Sequence, residues 1–527
     1  MIRRLAALTL LAVMATVAPV HAQDQPISRR EKLSPALQKA LKSGARSVRV
    51  LVRMRGHRGA APVANLTGAP AAMQLAVRRD EARQAAASLL EYLQSSASET
   101  RSLPAAPGSP RASETARADA GRPTQLWIAN SVCLEASART LDELAARPDV
   151  AGIYQDVRIQ AIPRGELVRG GAADAAAAEA GAQLWGLEKV GAARVWNVHG
   201  LRGEGIAVGH IDTGVDASHP AMVGKVLRFK DFVNGRAEPY DDDGHGTHTA
   251  GTLCGSGLGV APAAKLIVAK ALDSTGTGML STLLAAMQWM LDPDGDPATH
   301  DAPVCVSNSW GIERKAMTDL GAEETFFWDA VQAWRDAGTL PLFAAGNTGA
   351  GTEVVPGVYP IALAVGATDA LDGSPAYSAG GPSTWNGLTR IKPDLCAPGA
   401  AIVSAVPGGK MQSLNGTSMA CPHVAGVVAL VKQARPSVTL SELGQILRST
   451  LTDLGPAGAD ERFGAGQIDA MAAVNRALSL PSPGSSHAGG ASTPAPTPEA
   501  ARQKISGGLV GLLLGLAALM GLALLAS

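Results

Sequence analysis

The sequence is poor in aromatic residues and in cysteine, and both shortages limit what it can be. Its 527 residues include 6 Phe, 5 Tyr and 8 Trp, so its core must consist mainly of aliphatic side chains and alanine. Five cysteines are scattered along the chain without a CxxC pair. This number excludes a small disulfide scaffold, and the spacing disfavours a zinc ribbon.

An excess of charge of either sign is also missing. Lys and Arg together number 46, as do Asp and Glu, which gives a formal net charge of zero. Because proteins that bind nucleic acid need a basic face to neutralise phosphates, no nucleic-acid partner is expected. With 46% apolar and 17% charged residues, the chain has enough apolar surface to fold and is not a disordered protein.

Two apolar runs without charge lie at the ends of the chain. The first follows Arg3 and Arg4, and residues 1–22 are therefore typical of a secretory signal peptide. The second, residues 505–527, is long enough to cross a bilayer. We expect an exported protein of the cell envelope or extracellular space, associated with the membrane through this hydrophobic segment unless it is a processed sorting tail.

The region from residue 23 to 181 carries no catalytic motif. Strand-like runs at Ser47–Met54, Leu126–Glu135 and Val150–Ile159 alternate with helical stretches at Met73–Gln94 and Leu141–Ala146. Residues 103–123 are rich in Pro, Ser and Gly and predict a flexible loop. The order of these segments predicts a small α+β domain, and the alanine-rich end of the region suits a linker or a cleavage site.

Between residues 182 and 480, short apolar runs alternate with helical stretches. The runs are GIAVGHID, AKLIVAKAL, VCVSNSW and LPLFAAGN. This alternation predicts an α/β fold with a mainly parallel sheet covered by helices on both faces. Since ligands of such sheets bind at the carboxyl ends of strands, Asp212, Ser309 and Asn347 should lie near one site. Residues 481–504 are rich in Pro, Ser, Ala and Gly and predict a linker.

Four segments carry residues suited to nucleophilic acyl transfer. They are IDTGVD, DGHGTHTAGT, LFAAGN and NGTSMACPHVAG, which start at Ile211, Asp243, Leu342 and Asn415. A serine hydroxyl is a weak nucleophile and needs an imidazole as base, which a buried carboxylate orients. Ser418 follows a turn that contains Gly416, at the start of an Ala/Val-rich helix, where the helix dipole and a backbone N–H favour an oxyanion.

These segments resemble the Asp, His and Ser signatures of the subtilisin-like serine peptidases (subtilases), over roughly Leu184 to Leu478. GVAPAAKL, SNSWG and KPDLCAPG add to the resemblance. The resemblance implies a subtilisin-like three-layer α/β fold. It also implies that Ser418 is the nucleophile, His245 the general base and then acid, and Asp212 the orienting carboxylate. The oxyanion hole would consist of the Asn347 side chain and the backbone N–H of Ser418.

The same resemblance implies where a substrate binds. An extended peptide would pair as a strand between Thr275-Gly276-Thr277-Gly278 and Ser309-Trp310-Gly311. Trp310 stands where the family often has a smaller aliphatic residue, so it either reshapes the primary pocket or simply packs. Residues 23–181 resemble, less closely, the family's inhibitory propeptide with its ferredoxin-like α+β fold. A permanent extra domain is the alternative interpretation.

The chemistry is expected to need no cofactor and no metal. His245 and His248 stand three residues apart, but no third ligand is evident. The family's strong calcium loop is replaced by LCGSGL, which has no carboxylate, whereas Asp241–Asp243 could bind calcium or be solvated. Cys254 and Cys421 are expected to be buried thiols, with a disulfide as the alternative.

The function expected is therefore a secreted or surface-anchored serine endopeptidase that is made as a zymogen. It would act on proteins or peptides through an acyl-enzyme, and its own propeptide would be a second partner. A surface binding protein with a catalytically inactive subtilase fold is the alternative. The four intact catalytic positions favour the enzyme.

Overall fold

The computed structural model describes residues 28–55, 71–100, 123–161, 184–296, 299–319, 322 and 325–481. The predicted signal peptide, nearly all of the flexible loop and the linker, and the hydrophobic segment 505–527 lie outside these ranges. Within them, no helix combines the length and the apolarity that crossing a membrane requires.

In the described part of the N-terminal region, four strands form an antiparallel sheet with helices packed on it. The strands are β1 (Ser47–Met54), β2 (Thr124–Leu126), β3 (Ser131–Ser137) and β4 (Val150–Gln155), and the helices are α1 (Pro35–Lys42), α2 (Ala71–Thr100) and α3 (Ala138–Ala146). The spatial order of the strands is β2-β3-β1-β4. From β1 onward the chain follows the β-α-β-β-α-β order of the ferredoxin-like fold.

Two of the strands predicted for this region are present, but each is divided into two shorter strands. The run Leu126–Glu135 is interrupted by a 3-10 turn at Trp127–Ala129, after which Asn130 adopts a left-handed conformation with φ of 44°. The run Val150–Ile159 is divided, since β4 ends at Gln155. The chain then continues as β5 (Arg158–Gln160), which pairs with a strand of the following region, β9 (Thr277–Met279).

Residues 184–480, called the body here, contain a seven-stranded parallel sheet in the order β17-β14-β12-β10-β6-β8-β7. Its strands are β6 (Ala207–Asp212), β7 (Val226–Asp231), β8 (Lys265–Lys270), β10 (Cys305–Asn308), β12 (Leu340–Ala344), β14 (Leu363–Thr368) and β17 (Leu395–Pro398). Most of their residues are buried, as expected for a sheet covered on both faces. The predicted α/β fold is confirmed.

Helices and short strand pairs surround this sheet. The helices are α4 (Trp185–Lys189), α5 (Ala192–His199), α6 (His245–Cys254), α7 (Leu280–Trp289), α8 (Arg314–Asp319), α9 (Trp328–Asp336), α10 (Thr417–Ala434), α11 (Leu440–Ser449) and α12 (Ala470–Leu478). The other pairs are β11 (Ile312–Glu313) with β13 (Val354–Val355), β15 (Gly381–Trp385) with β16 (Leu388–Lys392), and β18 (Ile402–Val406) with β19 (Lys410–Leu414). Helices α6 and α10 contact each other and the sheet, so both begin beside its carboxyl edge.

The N-terminal sheet belongs to two cores because side chains alternate along its strands. Val50 and Val52 of β1 pack with the helices of their own region. Leu51, on the opposite face, belongs to the same buried cluster as Leu284 and Phe327 of the body. The N-terminal region is thus packed onto α7 and α9 of the body through one face of its sheet.

A carboxylate of the N-terminal region also caps a helix of the body. Asp156 is 4% exposed, and it accepts hydrogen bonds from the backbone N–H and the hydroxyl of Ser281, at 2.9 and 2.5 Å. Ser281 lies in the first turn of α7, where backbone N–H groups lack partners within the helix. Met279, the residue that precedes α7, provides no side-chain cap of its own.

Candidate active site

Three of the predicted catalytic residues meet at the carboxyl edge of the parallel sheet. Asp212 is the last residue of β6, His245 opens α6, and Ser418 is the second residue of α10. Their exposed fractions are 0%, 2% and 3%. The fold therefore brings together residues that lie more than 200 positions apart in the chain.

Asp212 and His245 are joined by a hydrogen bond. The distance between Nδ1 of His245 and Oδ1 of Asp212 is 2.7 Å. The same carboxylate accepts from the backbone N–H of Thr213 at 2.7 Å and from the hydroxyl of Thr249 at 3.3 Å. Nε2 of His245 is buried and has no hydrogen-bond partner among the described residues. This nitrogen is therefore free to accept a proton.

The electrostatics of this pair favour its charged form. Burial alone would lower the pKa of His245, but the charge of Asp212 and its hydrogen bond raise that pKa above its usual value. Burial would raise the pKa of Asp212, but the charge of His245 and its hydrogen bond hold that pKa below its usual range. Nearby, burial lowers the pKa of His210, so that ring stays neutral near pH 7.

Ser418 lies at this site without a hydrogen bond to His245. Its hydroxyl donates to the carbonyl of Ser309 at 3.1 Å, and the hydroxyl of Ser309 donates to the carbonyl of Ser418 at 2.8 Å. Hydrogen bonds of catalytic groups are often loose without substrate and tighten in the Michaelis complex. A rotation of the Ser418 side chain would be needed to direct its hydroxyl to Nε2.

Asn347 faces the turn that carries Ser418. Its Oδ1 accepts from the backbone N–H and the hydroxyl of Thr417, at 2.7 and 2.8 Å. Its Nδ2 would lie 3.3 Å from a Cβ atom built on Gly416. Because Oδ1 is held by Thr417, the amide is oriented, and its N–H groups remain available beside Ser418. This is the arrangement that an oxyanion hole requires.

Asp241 links the two segments that carry Asp212 and His245. Its oxygens accept hydrogen bonds of 2.7 to 3.1 Å from the hydroxyls of Thr213 and Thr247 and from the backbone N–H groups of Asp243, Gly244 and Thr247. Thr213 follows Asp212, and Thr247 comes two residues after His245. Of the acidic run Asp241–Asp243, Asp241 therefore has a structural place, whereas Asp242 and Asp243 are exposed.

A buried lysine supports the turn after Asp212. Nζ of Lys270 donates to the carbonyl of Thr213 at 2.5 Å and to a carboxylate oxygen of Asp242 at 2.6 Å. The turn itself needs glycine, since Gly214 has a φ of 111° and a Cβ atom there would lie 2.0 Å from the carbonyl oxygen of Tyr240. These contacts hold the chain that leaves Asp212 in one conformation.

The two predicted substrate segments enclose a piece of the N-terminal region. Strand β5 pairs antiparallel with β9, and the side-chain amide of Gln160 donates to the carbonyl of Thr275 at 2.8 Å. Ala161 donates to the carbonyl of Gly276 and accepts from the N–H of Gly311, both at 3.1 Å. Beside this strand lies a cavity of about 300 Å³, whose lining includes Asn347 and Ser418.

Trp310 is mainly a core residue. It is 2% exposed and packs edge-on against Phe327 and Phe343, with ring centroids 5.9 and 5.6 Å away. Trp310 is also one of the residues that line the cavity. Sequence reasoning missed a different lining residue, Val354, because β13 has only two residues and lies in no motif.

Two groups of residues have side chains that can bind metals: His248, and a cluster of three aspartates. His248 donates from Nε2 to the carbonyls of Ile402 and Gln412 at 3.0 Å, and burial lowers its pKa to about 3. It therefore has a structural place between α6 and the β18–β19 hairpin. Among the described residues, carboxylate oxygens of Asp292, Asp294 and Asp301 lie within 4.8 Å of one another. Asp292 is already paired with Arg79 at 2.7 Å.

The cysteines are buried thiols. All five are unpaired in the structure, and Cys254 and Cys421 form no disulfide with each other. Burial raises the pKa of both thiols to about 12. A thiol with such a pKa is a poor nucleophile near neutral pH, so Cys421 does not compete with Ser418 for the same chemistry.

Comparison with known proteins agrees with this geometry. Residues 203–466 match the model of the subtilase family. Subtilisin Savinase of Lederbergia lenta is 36% identical over 295 residues, which are 55% of this chain and 98% of that protein. M-protease of Shouchella clausii is 33% identical over 350 residues, 65% of this chain and 78% of that protein.

A longer relative is matched only in part. Bacillopeptidase F of Bacillus subtilis is 35% identical over 383 residues, which are 66% of this chain. These residues are only 26% of that protein, so the chain spans about a quarter of its length.

Proposed function

This chain belongs to the subtilase family and is by that membership a serine endopeptidase, and we propose that Asp212, His245 and Ser418 carry out its chemistry. The observation that supports this most directly is the 2.7 Å hydrogen bond between Nδ1 of His245 and Asp212. It fixes the ring and leaves Nε2, which has no hydrogen-bond partner among the described residues, as the basic atom.

In the proposed reaction, Oγ of Ser418 attacks the carbonyl carbon of the scissile peptide bond. Nε2 of His245 takes the hydroxyl proton, and the charge of Asp212 stabilises the imidazolium. Nδ2 of Asn347 and the backbone N–H of Ser418 donate to the oxyanion. His245 then gives its proton to the leaving amine, and a water activated by the same ring releases the acyl group. The reaction as proposed requires no metal or cofactor.

The N-terminal region is proposed to be the enzyme's own propeptide. In support, β5 and Ala161 occupy the edges to which a substrate strand would pair, through contacts with β9, Gly276 and Gly311. A peptide bound there prevents substrate from entering. Cleavage between Ala161 and Leu184 would release the region and activate the body.

Export and anchoring form the last part of the proposal. The signal-like residues 1–22 would direct the chain out of the cytoplasm. The uncharged residues 505–527 would hold it at the membrane unless they are removed by processing. The chain would then act on peptides or proteins at the cell envelope or outside the cell.

Labelling with a fluorophosphonate tests the catalytic proposal. The mature protein should form a covalent adduct at Ser418, and the Ser418→Ala variant should form none. The variant should also retain residues 23–181, because it cannot cut itself. A mature, folded wild-type protein that takes no label would contradict the assignment and favour a binding protein with an inactive fold.

A further inference from the structure

The geometry around Ser418 indicates where the side chain next to the scissile bond must go. The reacting carbonyl carbon has to lie near Oγ of Ser418, with its oxygen towards Nδ2 of Asn347. The substrate strand runs along Ser309–Gly311, since Gly311 already donates to a carbonyl of the N-terminal region at 3.1 Å. The side chain that precedes the scissile bond then enters the cavity between Gly311 and Gly346.

Both walls of this part of the cavity are glycines, which ordinarily leave room for a large side chain. Here Val354 fills the space between them. A Cβ atom on Gly311 would lie 2.2 Å from Cγ1 of Val354, and one on Gly346 would lie 2.4 Å from Cγ2. The two methyl groups of one valine thus touch both walls and reduce the depth of the cavity.

The backbone of Val354 is held in this position by strand pairing. It belongs to β13, where it pairs with Glu313 while Val355 pairs with Ile312. Its exposed fraction is 6%. Because a β-branched side chain has few favourable rotamers, Val354 has few alternatives to the one that places its methyl groups against both glycines.

We propose that Val354 makes the primary specificity pocket shallow, so that the enzyme prefers alanine and other small residues immediately before the scissile bond. The inference rests on the proposed function, because it takes Ser418 as the nucleophile. Large residues such as leucine and phenylalanine would meet the valine methyl groups before their carbonyl reached Ser418. One methylene that does not fit changes kcat/KM by about 10- to 200-fold.

The test compares quenched peptides that differ only in the residue before the cleaved bond, with Ala, Leu and Phe. The wild-type enzyme should rank them in that order. The Val354→Ala and Val354→Gly variants should raise kcat/KM for Leu and Phe relative to Ala by about 10-fold or more. Val354→Thr, which keeps the volume, should keep the wild-type ranking.

Val358→Ala is the matched control. Val358 is also a valine with 6% exposure, and it comes four residues after Val354. It is not among the residues that line this cavity. Its truncation removes the same two methyl groups and should leave the ranking unchanged. A similar change in both alanine variants would mean that general loosening of the fold, and not the pocket, determines the preference.

Titration with a fluorophosphonate separates the possible failures. A wild-type enzyme that takes the label but prefers Phe or Leu overturns the proposal for Val354. So does a labelled Val354→Ala variant with the wild-type ranking. If the folded wild-type protein takes no label at Ser418, the catalytic proposal itself fails and the inference fails with it.

Discussion

The N-terminal region and the body are both built on a β-sheet, but they use polar residues differently. In the body, buried polar side chains converge on the carboxyl edge of the sheet, where each is oriented by a neighbour of the same body. In the N-terminal region, arginines extend outward and meet aspartates of the body. The pairs are Arg53 with Asp329 at 2.9 Å, Arg79 with Asp292 at 2.7 Å, Arg78 with Asp336, and Arg158 with Asp273.

This difference also explains a misleading feature of the composition. Residues 23–181 carry 22 Lys and Arg against 16 Asp and Glu, whereas residues 182–480 carry 20 against 29. The net charge of zero therefore combines a region of charge +6 with one of −9, and residues 1–22 and 481–527 supply the remaining +3. Salt should weaken the pair of Arg158 with Asp273, whose arginine is largely exposed, more than the largely buried pair of Arg78 with Asp336.

The comparison predicts that the largest loss of activity comes from a substitution in the body, at Asn347. In subtilisin, loss of an oxyanion-hole asparagine lowers kcat by about 10²- to 10³-fold. We expect a similar decrease for Asn347→Ala, with little change in KM. Asn347→Asp is the informative partner, because it keeps an acceptor for Thr417 but loses the donor. If Asn347→Asp had wild-type kcat in steady-state assays, Asn347 would have no part in the oxyanion hole.

The next effect concerns the contact between the two regions. Arg78 and Asp336 have side chains that are only 6% and 14% exposed, so Arg78→Ala leaves a largely buried carboxylate unpaired. Truncation of such a pair costs about 2–5 kcal/mol. We expect the cleaved N-terminal region to dissociate from the body at least about 30-fold more readily, measured as inhibition of the mature enzyme. Arg139→Ala, whose pair with Glu143 is exposed and internal, should change nothing.

A smaller effect on activity is expected from Asp241→Asn. The substitution replaces one carboxylate oxygen with an NH₂ group, which cannot accept the hydrogen bonds that this oxygen accepts. Misplacement of a catalytic group by about 1 Å can cost 10²-fold in rate, and we expect kcat to fall by about 10- to 10²-fold. The charge of Asp241 is one of the smaller contributions that raise the pKa of His245, after those of Asp212 and Asp243.

The pH profile distinguishes this positioning role from general damage. Acylation needs a neutral His245, so activity should rise with pH through a pKa above the usual value of about 6.5. In Asp241→Asn this rise should shift to lower pH. Glu238→Gln removes a charge from an exposed position of the same loop and should leave the profile in place. Identical profiles for all three proteins would contradict the positioning role.

The last effect concerns stability in acid and not the rate of the reaction. Burial lowers the pKa of His248 to about 3 and that of His423 to about 4, whereas an unfolded histidine titrates near 6.5. Between these values the unfolded chain binds more protons, so stability should fall as pH drops below about 6.5. Urea midpoints of Ser418→Ala, which cannot digest itself, should decrease from pH 7 to pH 5. His423→Gln should weaken this dependence, and a flat dependence would contradict the assignment.

The features predicted correctly from sequence are those that depend on residues close together in the chain. The alternation of strand-like and helical runs predicted the parallel sheet, and four local motifs located Asp212, His245, Asn347 and Ser418. Their catalytic roles and the boundaries of the regions remain predictions. Val354 and Asp156 could not be predicted, because their importance comes from distant partners, Gly311 with Gly346 and Ser281. Trp310 stood in a motif, yet only the packing of Phe327 and Phe343 shows why its ring is buried.

The cap that Asp156 places on α7 has a consequence for how the body folds. If the N-terminal region is removed, the body loses a carboxylate that completed the first turn of one of its helices, a contact worth about 1 kcal/mol. In the body alone, the first turn of α7 would then be less stable because it lacks the hydrogen bonds from Ser281 to Asp156. We expect the body to refold more slowly by itself than when the N-terminal region is supplied again.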